Sequence, residues 1–125
     1  MTKKSELGKL GEDLAVGYFT KLGWKVVERN VRVMGDELDI VAIDKNKILV
    51  LVEVKTMRSA PKEKIGEWLT PEDQLSSTKL SKFKRGALKY VGCHPELINK
   101  NGFRLDALTI EVGDTDPIFH YYENL

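Results

Sequence analysis

Hydrophobic positions near the start of the chain recur at steps of three and four residues, from about residue 5 to residue 22. This spacing predicts a helix, and Gly23 stands where such a helix commonly ends. The apolar stripe of the predicted helix consists of Leu7, Leu10, Leu14, Tyr18 and Leu22. Glu12 lies at the margin of this stripe, so we expect its carboxylate to reach the sheet on which the helix packs.

Runs of β-branched and other apolar residues then predict three strands, which are Trp24–Asn30, Leu38–Ile43 and Ile48–Lys55. The segment Val31–Gly35 either extends the first strand or links it to the second. A polar turn around Asp44–Lys47 joins the second strand to the third, which predicts an antiparallel hairpin.

The second half of the chain predicts a long helix and one or two further strands. Thr70 is a typical helix cap and Pro71 suits the first turn, so we expect a helix from Thr70 to about residue 91. A fourth strand is predicted over Phe103–Val112, and a short fifth over Ile118–Tyr122. Because a helix between two strands normally returns the chain in parallel, the pattern predicts one α/β domain over residues 1–125, a mixed sheet flanked by helices.

Composition excludes several classes of protein. The chain has 125 residues, of which 42% are hydrophobic and 31% charged, and no apolar run approaches the roughly 18 to 20 residues of a membrane span. We therefore expect a soluble, cytoplasmic protein without a secretion signal. One cysteine excludes an internal disulfide and a thiolate zinc site. The net charge of +1 means that a nucleic-acid partner needs a local basic patch.

Three charged residues interrupt the two most apolar strands: Asp39 in the second, and Glu53 and Lys55 in the third. Alternation along a strand puts Glu53 and Lys55 on one face, but Asp39 joins them only if it pairs with Glu53. That pairing encloses the three-residue loop Lys45–Lys47, whereas a two-residue turn would separate the carboxylates. The hypothesis of a shared site therefore predicts an odd-length loop or a bulge.

Carboxylate oxygens in such a cluster suit Mg²⁺ or Mn²⁺. Asp39 and Glu53 would be the ligands, with Glu12 as a third carboxylate, and the ammonium of Lys55 would position water and stabilise charge on a phosphorane. These parts suit phosphodiester hydrolysis. The alternative interpretation is that both acids lie at strand ends in solvent and that Lys55 makes an ordinary surface ion pair.

Basic residues predict where nucleic acid would bind. Candidate contacts on the strands, the following loop and the second helix are Arg29, Arg32, Arg58, Lys79, Lys82, Arg85 and Lys89. The alternative for the helix is the charged outer face that any amphipathic helix needs. No helix-turn-helix, zinc finger or Gly-rich phosphate loop is evident, so neither sequence-specific DNA binding nor a nucleotide cofactor is predicted.

The chain resembles the PD-(D/E)xK nuclease superfamily and, within it, the YraN-type family of small bacterial proteins; it is similar in size to archaeal Holliday-junction resolvases. The matching residues are Gly11-Glu12, Ala15, Arg29-Asn30, Arg32, Glu37-Leu38-Asp39-Ile40, Glu53-Val54-Lys55, Arg58, Lys79, Ala87, Arg104 and Asp106. The resemblance implies a restriction-endonuclease-like α-β-β-β-α-β core. It also implies metal ligation by Asp39 and Glu53, a catalytic Lys55, and Glu12 as an auxiliary acid.

One position departs from the family pattern. Asp36 stands where that pattern usually has Gly, and Gly35 is displaced by one position. Asp36 either adds a carboxylate near the site or reshapes the turn. The sequence thus predicts a Mg²⁺- or Mn²⁺-dependent endonuclease that selects DNA, branched or single-stranded, by structure. The alternatives are a non-catalytic nucleic-acid-binding module of the same fold and a homodimeric interaction domain.

Overall fold

A computed structural model describes residues 5–59 and 77–125 of the chain as two helices on a five-stranded sheet. The helices are α1 (Glu6–Lys21) and α2 (Ser77–Cys93), and a short 3₁₀ turn follows at Pro95–Leu97. The strands are β1 (Lys25–Val33), β2 (Asp36–Ile43), β3 (Leu49–Arg58), β4 (Phe103–Val112) and β5 (Ile118–Tyr122). The predicted beginning of the second helix at Thr70 lies outside the described residues. Within those residues, neither helix combines the length and the apolar character needed to cross a membrane.

The five strands lie side by side in chain order. Strands β3 and β4, on either side of α2 in the chain, are parallel, and the other three neighbouring pairs are antiparallel. The predicted mixed sheet and α-β-β-β-α-β order are therefore confirmed, and the fifth strand is present.

Each face of the sheet buries its own hydrophobic core. On the α1 side, Phe19 packs with residues such as Val50, Val52 and Leu108. On the α2 side, Phe83 and Tyr90 pack with residues such as Leu51. Alternate residues of β3 therefore face different helices, as expected for a central strand that is covered on both faces.

The buried face of α1 differs from the predicted stripe of leucines. Its buried residues are Gly11, Glu12, Ala15 and Phe19, while Leu10 is 46% exposed. Glu12 therefore lies within the buried face and not at its margin. Leu14 and Tyr18 of the predicted stripe pack against the core, but Gly11 and Ala15, which are too small to count in a hydrophobic pattern, are more deeply buried.

The closest approach of α1 to the sheet is at Gly11. A Cβ atom built on Gly11 would lie 1.6 Å from Oγ1 of Thr56, so no side chain fits there without movement of the helix or strand. Gly17 on the same helix has no atom within 4 Å of such a position. Gly11 therefore sets the depth at which α1 packs on β3.

The first three strands differ from the predicted ranges: β1 takes the longer of its two predicted forms, β2 begins earlier, at Asp36, and β3 ends later. β1 continues to Val33 and pairs there with Asp36, and Met34 and Gly35 make the turn with positive φ angles of 48° and 89°. β3 continues to Arg58, beyond its predicted end at Lys55. Parallel pairing with β4 extends through Arg58 and Val112, and this partner supplies the hydrogen bonds that the local sequence pattern does not indicate.

Substitution of Gly11 tests this packing. We expect Gly11→Ala to lower the free energy of unfolding by about 1–3 kcal/mol, because the added methyl group overpacks the contact with Thr56. Gly17→Ala is the matched control and should raise it by about 0.5–1 kcal/mol, since alanine is the better helix former in open space. Urea unfolding measures both; equal stability of Gly11→Ala and the parent would contradict the close approach.

Candidate active site

The loop of the hairpin between β2 and β3 contains an odd number of residues, as predicted. Its pairs run from Ile40 with Val52 to Ile43 with Leu49, and the N–H of Asp44 donates to the carbonyl of Ile48 at 3.0 Å. Lys45, Asn46 and Lys47 form the three-residue loop, in which Lys47 adopts a positive φ of 66°. The carboxylate of Asp44 accepts from the N–H groups of Asn46 and Ile48 and fixes the loop. This register puts Asp39 opposite Glu53.

Asp39 lies where β2 and β3 separate. The paired residues end at Ile40 and Val52, and the N–H of Val54 donates to Oδ2 of Asp39 at 2.8 Å. In a continued ladder that N–H would bond to a backbone carbonyl of β2. The side-chain alternation of β2 also breaks here, since Leu38 packs on the α2 side and Ile40 on the α1 side. The Asp39 carboxylate therefore replaces backbone pairing and lies against β3 beside Glu53.

Glu53 and Lys55 follow Leu49 and Leu51 on the α2 side of β3. Glu53 lines a cleft of about 390 Å³ between the β1–β2 turn and α2. The cleft is also lined by Gly35, Asp36, Glu37, Lys79, Lys82, Phe83 and Arg85. Asp39, Glu53 and Lys55, each half-buried, are here called the carboxylate–lysine site.

Opposing effects act on the pKa of Lys55, and the net shift is downward. Burial lowers the pKa of the Lys55 ammonium, and the positive charge of Lys79 lowers it further. The carboxylates of Glu53 and Asp39 oppose this and raise the same pKa. Lys55 thus interacts electrostatically with both acids and with Lys79, and the structure brings these four predicted residues together.

The third predicted carboxylate, Glu12, comes from α1. It is 2% exposed on α1, the helix that packs on the other face of the sheet through Gly11 and Thr56. Within residues 5–59 and 77–125, no three Asp, Glu, His or Cys side chains form a group able to hold a metal ion. The charges of Asp39 and Glu53 both act on Lys55, and a metal-ligand role for Glu12 stays a prediction.

Arg85 and Lys89 bind a carboxylate of the chain itself. Arg85 donates to both oxygens of Asp36, from Nε at 2.9 Å and from Nη2 at 2.6 Å, and Lys89 Nζ donates to Oδ2 at 2.8 Å. Lys89 also donates to the carbonyl of Met34 at 3.1 Å. These bonds, that of Arg85 first, hold the pKa of Asp36 far below its ordinary value of 3.8. The departure from the family pattern therefore joins α2 to β2, a role that the sequence did not indicate.

Three other predicted nucleic-acid contacts, Arg29, Arg32 and Arg58, do not line the cleft. Arg29 pairs with Asp13 of α1 at 2.7 Å, and Arg32 is exposed on β1 opposite Glu37. Arg58 is exposed at the end of β3 and lines a separate pocket with residues of α1. Lys79, Lys82 and Arg85 do line the cleft. Of these three, Arg85 is the one that bonds to Asp36 as described.

Arg104 and Asp106, matched by the resemblance, form a buried network on β4, where Asp106 pairs with Val52 of β3. Asp106 is fully buried and accepts bonds from Nε of Arg104, the hydroxyl of Tyr121 and the N–H of Asn124. Burial and the Asp106 carboxylate raise the pKa of Tyr121. Arg104 also contacts Asp44 at 3.4 Å. The network fixes β5 and the hairpin loop and takes no part in the cleft.

Comparison with known proteins identifies the family of the chain. The family described as "Uncharacterised protein family UPF0102" matches residues 11–110, which include the whole carboxylate–lysine site. The chain belongs to this family. The predicted membership of the YraN-type family is thereby confirmed.

Relatives in the UPF0102 family cover nearly the full chain. A UPF0102 protein of Syntrophomonas wolfei is 35% identical over 86% of this chain and 88% of its own length. One from Geobacter sulfurreducens is 36% identical over 91% of this chain and 84% of its own length. A solved Pyrococcus furiosus SfsA structure overlaps 92% of this chain and 61% of its own at 14% identity, with a TM-score of 0.31, too low to indicate a common fold. The names of the UPF0102 relatives give no activity.

Substitution of Lys79 tests the electrostatics of the site. We expect Lys79→Met to raise the pKa of Lys55, because a neighbouring positive charge that disfavours the ammonium is removed. Lys82→Met, a change of the same type on the same helix, is the control and should leave that pKa nearer its parent value. An NMR titration of the Lys55 Cε resonance measures both, and an unchanged or lower pKa in Lys79→Met would contradict the arrangement.

Proposed function

We propose that this UPF0102 protein is a metal-dependent endonuclease that hydrolyses DNA phosphodiester bonds and selects its substrate by structure more than by sequence. The observation that carries the proposal is the meeting of Asp39, Glu53 and Lys55 where β2 and β3 separate, beside a cleft with basic side chains. A cytoplasmic location is part of the proposal and fits DNA as the substrate.

The donor set of the site fits Mg²⁺ or Mn²⁺. Two carboxylates on adjacent strands offer hard oxygen ligands, and Mg²⁺ is often held by one or two carboxylates together with waters and a substrate phosphate. Asp39 and Glu53 would hold the ion, which when bound polarises the phosphate and lowers the pKa of water. Oδ2 of Asp39 is held by the N–H of Val54, so this carboxylate is positioned before any ligand binds.

The remaining chemistry falls to the lysines of the site. The ammonium of Lys55 lies close enough to both carboxylates to interact with their charges, so a phosphate bound to an ion between them would lie within its reach. There it would orient the attacking water and stabilise negative charge on the phosphorane. Lys79 and Lys82 line the same cleft and would neutralise the neighbouring phosphates of the strand.

A non-catalytic nucleic-acid-binding module is the second candidate. It is favoured by the charge of α2, whose residues from Ser77 to Cys93 include five cations and no acidic residue. Such a module would show salt-dependent DNA binding and no metal-dependent product.

Cleavage assays distinguish the two candidates. Flap, junction, single-stranded and duplex DNA should be incubated with the protein and Mg²⁺ or Mn²⁺, with chelated samples as blanks. We expect metal-dependent cleavage of at least one branched or single-stranded substrate. Lys55→Met and Glu53→Gln should lower the cleavage rate by about 10²–10³-fold and keep DNA binding, because they remove charge stabilisation or a metal ligand.

Lys84→Met is the matched control, since Lys84 is exposed on α2 and does not line the cleft. It should cleave at the parent rate. Equal cleavage by the parent, Lys55→Met and Glu53→Gln would refute the assignment of these residues. Binding without any metal-dependent product in the whole panel would leave the binding module as the function.

A further inference from the structure

The basic surface of α2 contains an anion that belongs to the protein. Asp36 is 10% exposed, and three N–H donors from Arg85 and Lys89 contact its two oxygens at 2.6–2.9 Å. A guanidinium that donates two parallel bonds, joined by an ammonium, is the arrangement with which proteins bind a phosphate group. Arg85 and Lys89 are therefore arranged as in a phosphate-binding site, and the carboxylate of Asp36 occupies the position that a bound phosphate would take.

The carboxylate of Asp36 matters because it lies against a helix that is otherwise basic. Between Ser77 and Cys93 the helix has no acidic residue, and its cations are Lys79, Lys82, Lys84, Arg85 and Lys89. Asp36 thus neutralises part of a surface that is otherwise wholly basic. The bonds from Arg85 and Lys89 keep the pKa of Asp36 low, so the carboxylate is charged at any pH near neutrality.

Local backbone geometry presents Asp36 to this surface. It follows the tight turn at Met34 and Gly35, whose positive φ angles fold β2 back along β1. On the opposite side, a Cβ atom on Gly86 would lie 3.0 Å from Cβ of Asp36, so α2 approaches the strand closely at that residue. Asp36 is therefore held beside Arg85 and Lys89 by the fold, which gives its carboxylate a high effective concentration at these two cations. An anion from solution has to compete with it for the same donors.

We propose that Arg85 and Lys89 form a phosphate-binding site and that Asp36 competes within the molecule for it, which weakens binding of the nucleic-acid backbone. Asp36 and Arg85 line the same cleft as Glu53, so a strand that leaves the carboxylate–lysine site passes this position. The part of this inference that names DNA as the ligand rests on the proposed function. The binding of inorganic phosphate by Arg85 and Lys89 is independent of that function.

Asp36→Asn tests the competition through the salt dependence of DNA binding. Loss of the carboxylate charge should make two more cations available to phosphates, and each phosphate contact adds about 0.7–0.9 to the slope of log affinity against log salt. We therefore expect the slope to steepen by about 1.4–1.8, with tighter binding at low salt. Fluorescence anisotropy without divalent metal ions measures this on single-stranded and duplex DNA.

Two further variants separate competition from other effects. Asp114→Asn, on the exposed turn between β4 and β5, changes the net charge equally and should leave the slope unchanged. A triple variant that combines Asp36→Asn with Arg85→Gln and Lys89→Gln should lose both the steeper salt dependence and the tighter binding at low salt. If Asp36 serves only to fasten α2 to β2, Asp36→Asn will lower the melting temperature and leave the slope at the parent value, which would overturn the proposal.

Inorganic phosphate provides a probe that needs neither DNA nor activity. Phosphate should raise the melting temperature of Asp36→Asn and should have no such effect on the triple variant. Phosphate binding of this kind in a protein that cuts no DNA would support the site and count against the nuclease. Cleavage by the parent, combined with an unchanged slope and no phosphate effect in Asp36→Asn, would overturn the site alone.

Discussion

The hydrogen bond between the N–H of Val54 and the carboxylate of Asp39 is the interaction on which the candidate site depends. A buried or half-buried backbone N–H needs an acceptor, and on a central strand this is normally the neighbouring strand. Here a side chain supplies it, so the two strands can part without leaving the donor unsatisfied. The same bond turns Asp39 towards Glu53. The same hydrogen bond thus allows β2 and β3 to separate and brings Asp39 beside Glu53.

Glycines determine where the two helices lie around this point. Gly11 brings α1 against Thr56 on one face, and Gly86 brings α2 against Asp36 and Leu38 on the other. Both contacts exclude a Cβ atom at ordinary packing distances. Because α2 is held close to β2, its basic residues line the cleft beside Glu53. The buried network of Asp106 holds β5, the C-terminal residues and the hairpin loop, and neither Arg104 nor Asp106 lines the cleft.

The sequence predicted the features that depend on strand periodicity and chain connection. The parity of the β2–β3 hairpin followed from the need to place Asp39 opposite Glu53, and the parallel β3–β4 pair followed from the intervening helix. The sequence did not predict the burial of Gly11 and Ala15 in α1, because these small residues give no hydrophobic signal. The length of β3 depends on its partner β4, which local pattern cannot show. The bonds of Arg85 to Asp36 join residues 49 positions apart, and a basic helix face alone suggests an open surface.

The central claim is that Asp39 and Glu53 bind one divalent cation where β2 and β3 separate. The most direct test follows backbone amide resonances of the isotope-labelled protein during titration with Mn²⁺, whose paramagnetism broadens nearby signals. The account predicts selective broadening of the amides of Glu53, Val54 and Lys55, loss of that broadening in Glu53→Gln, and its retention in Glu111→Gln, where the carboxylate removed lies on β4 and pairs with His120. Broadening centred elsewhere in the protein, or unchanged in Glu53→Gln, would contradict the account.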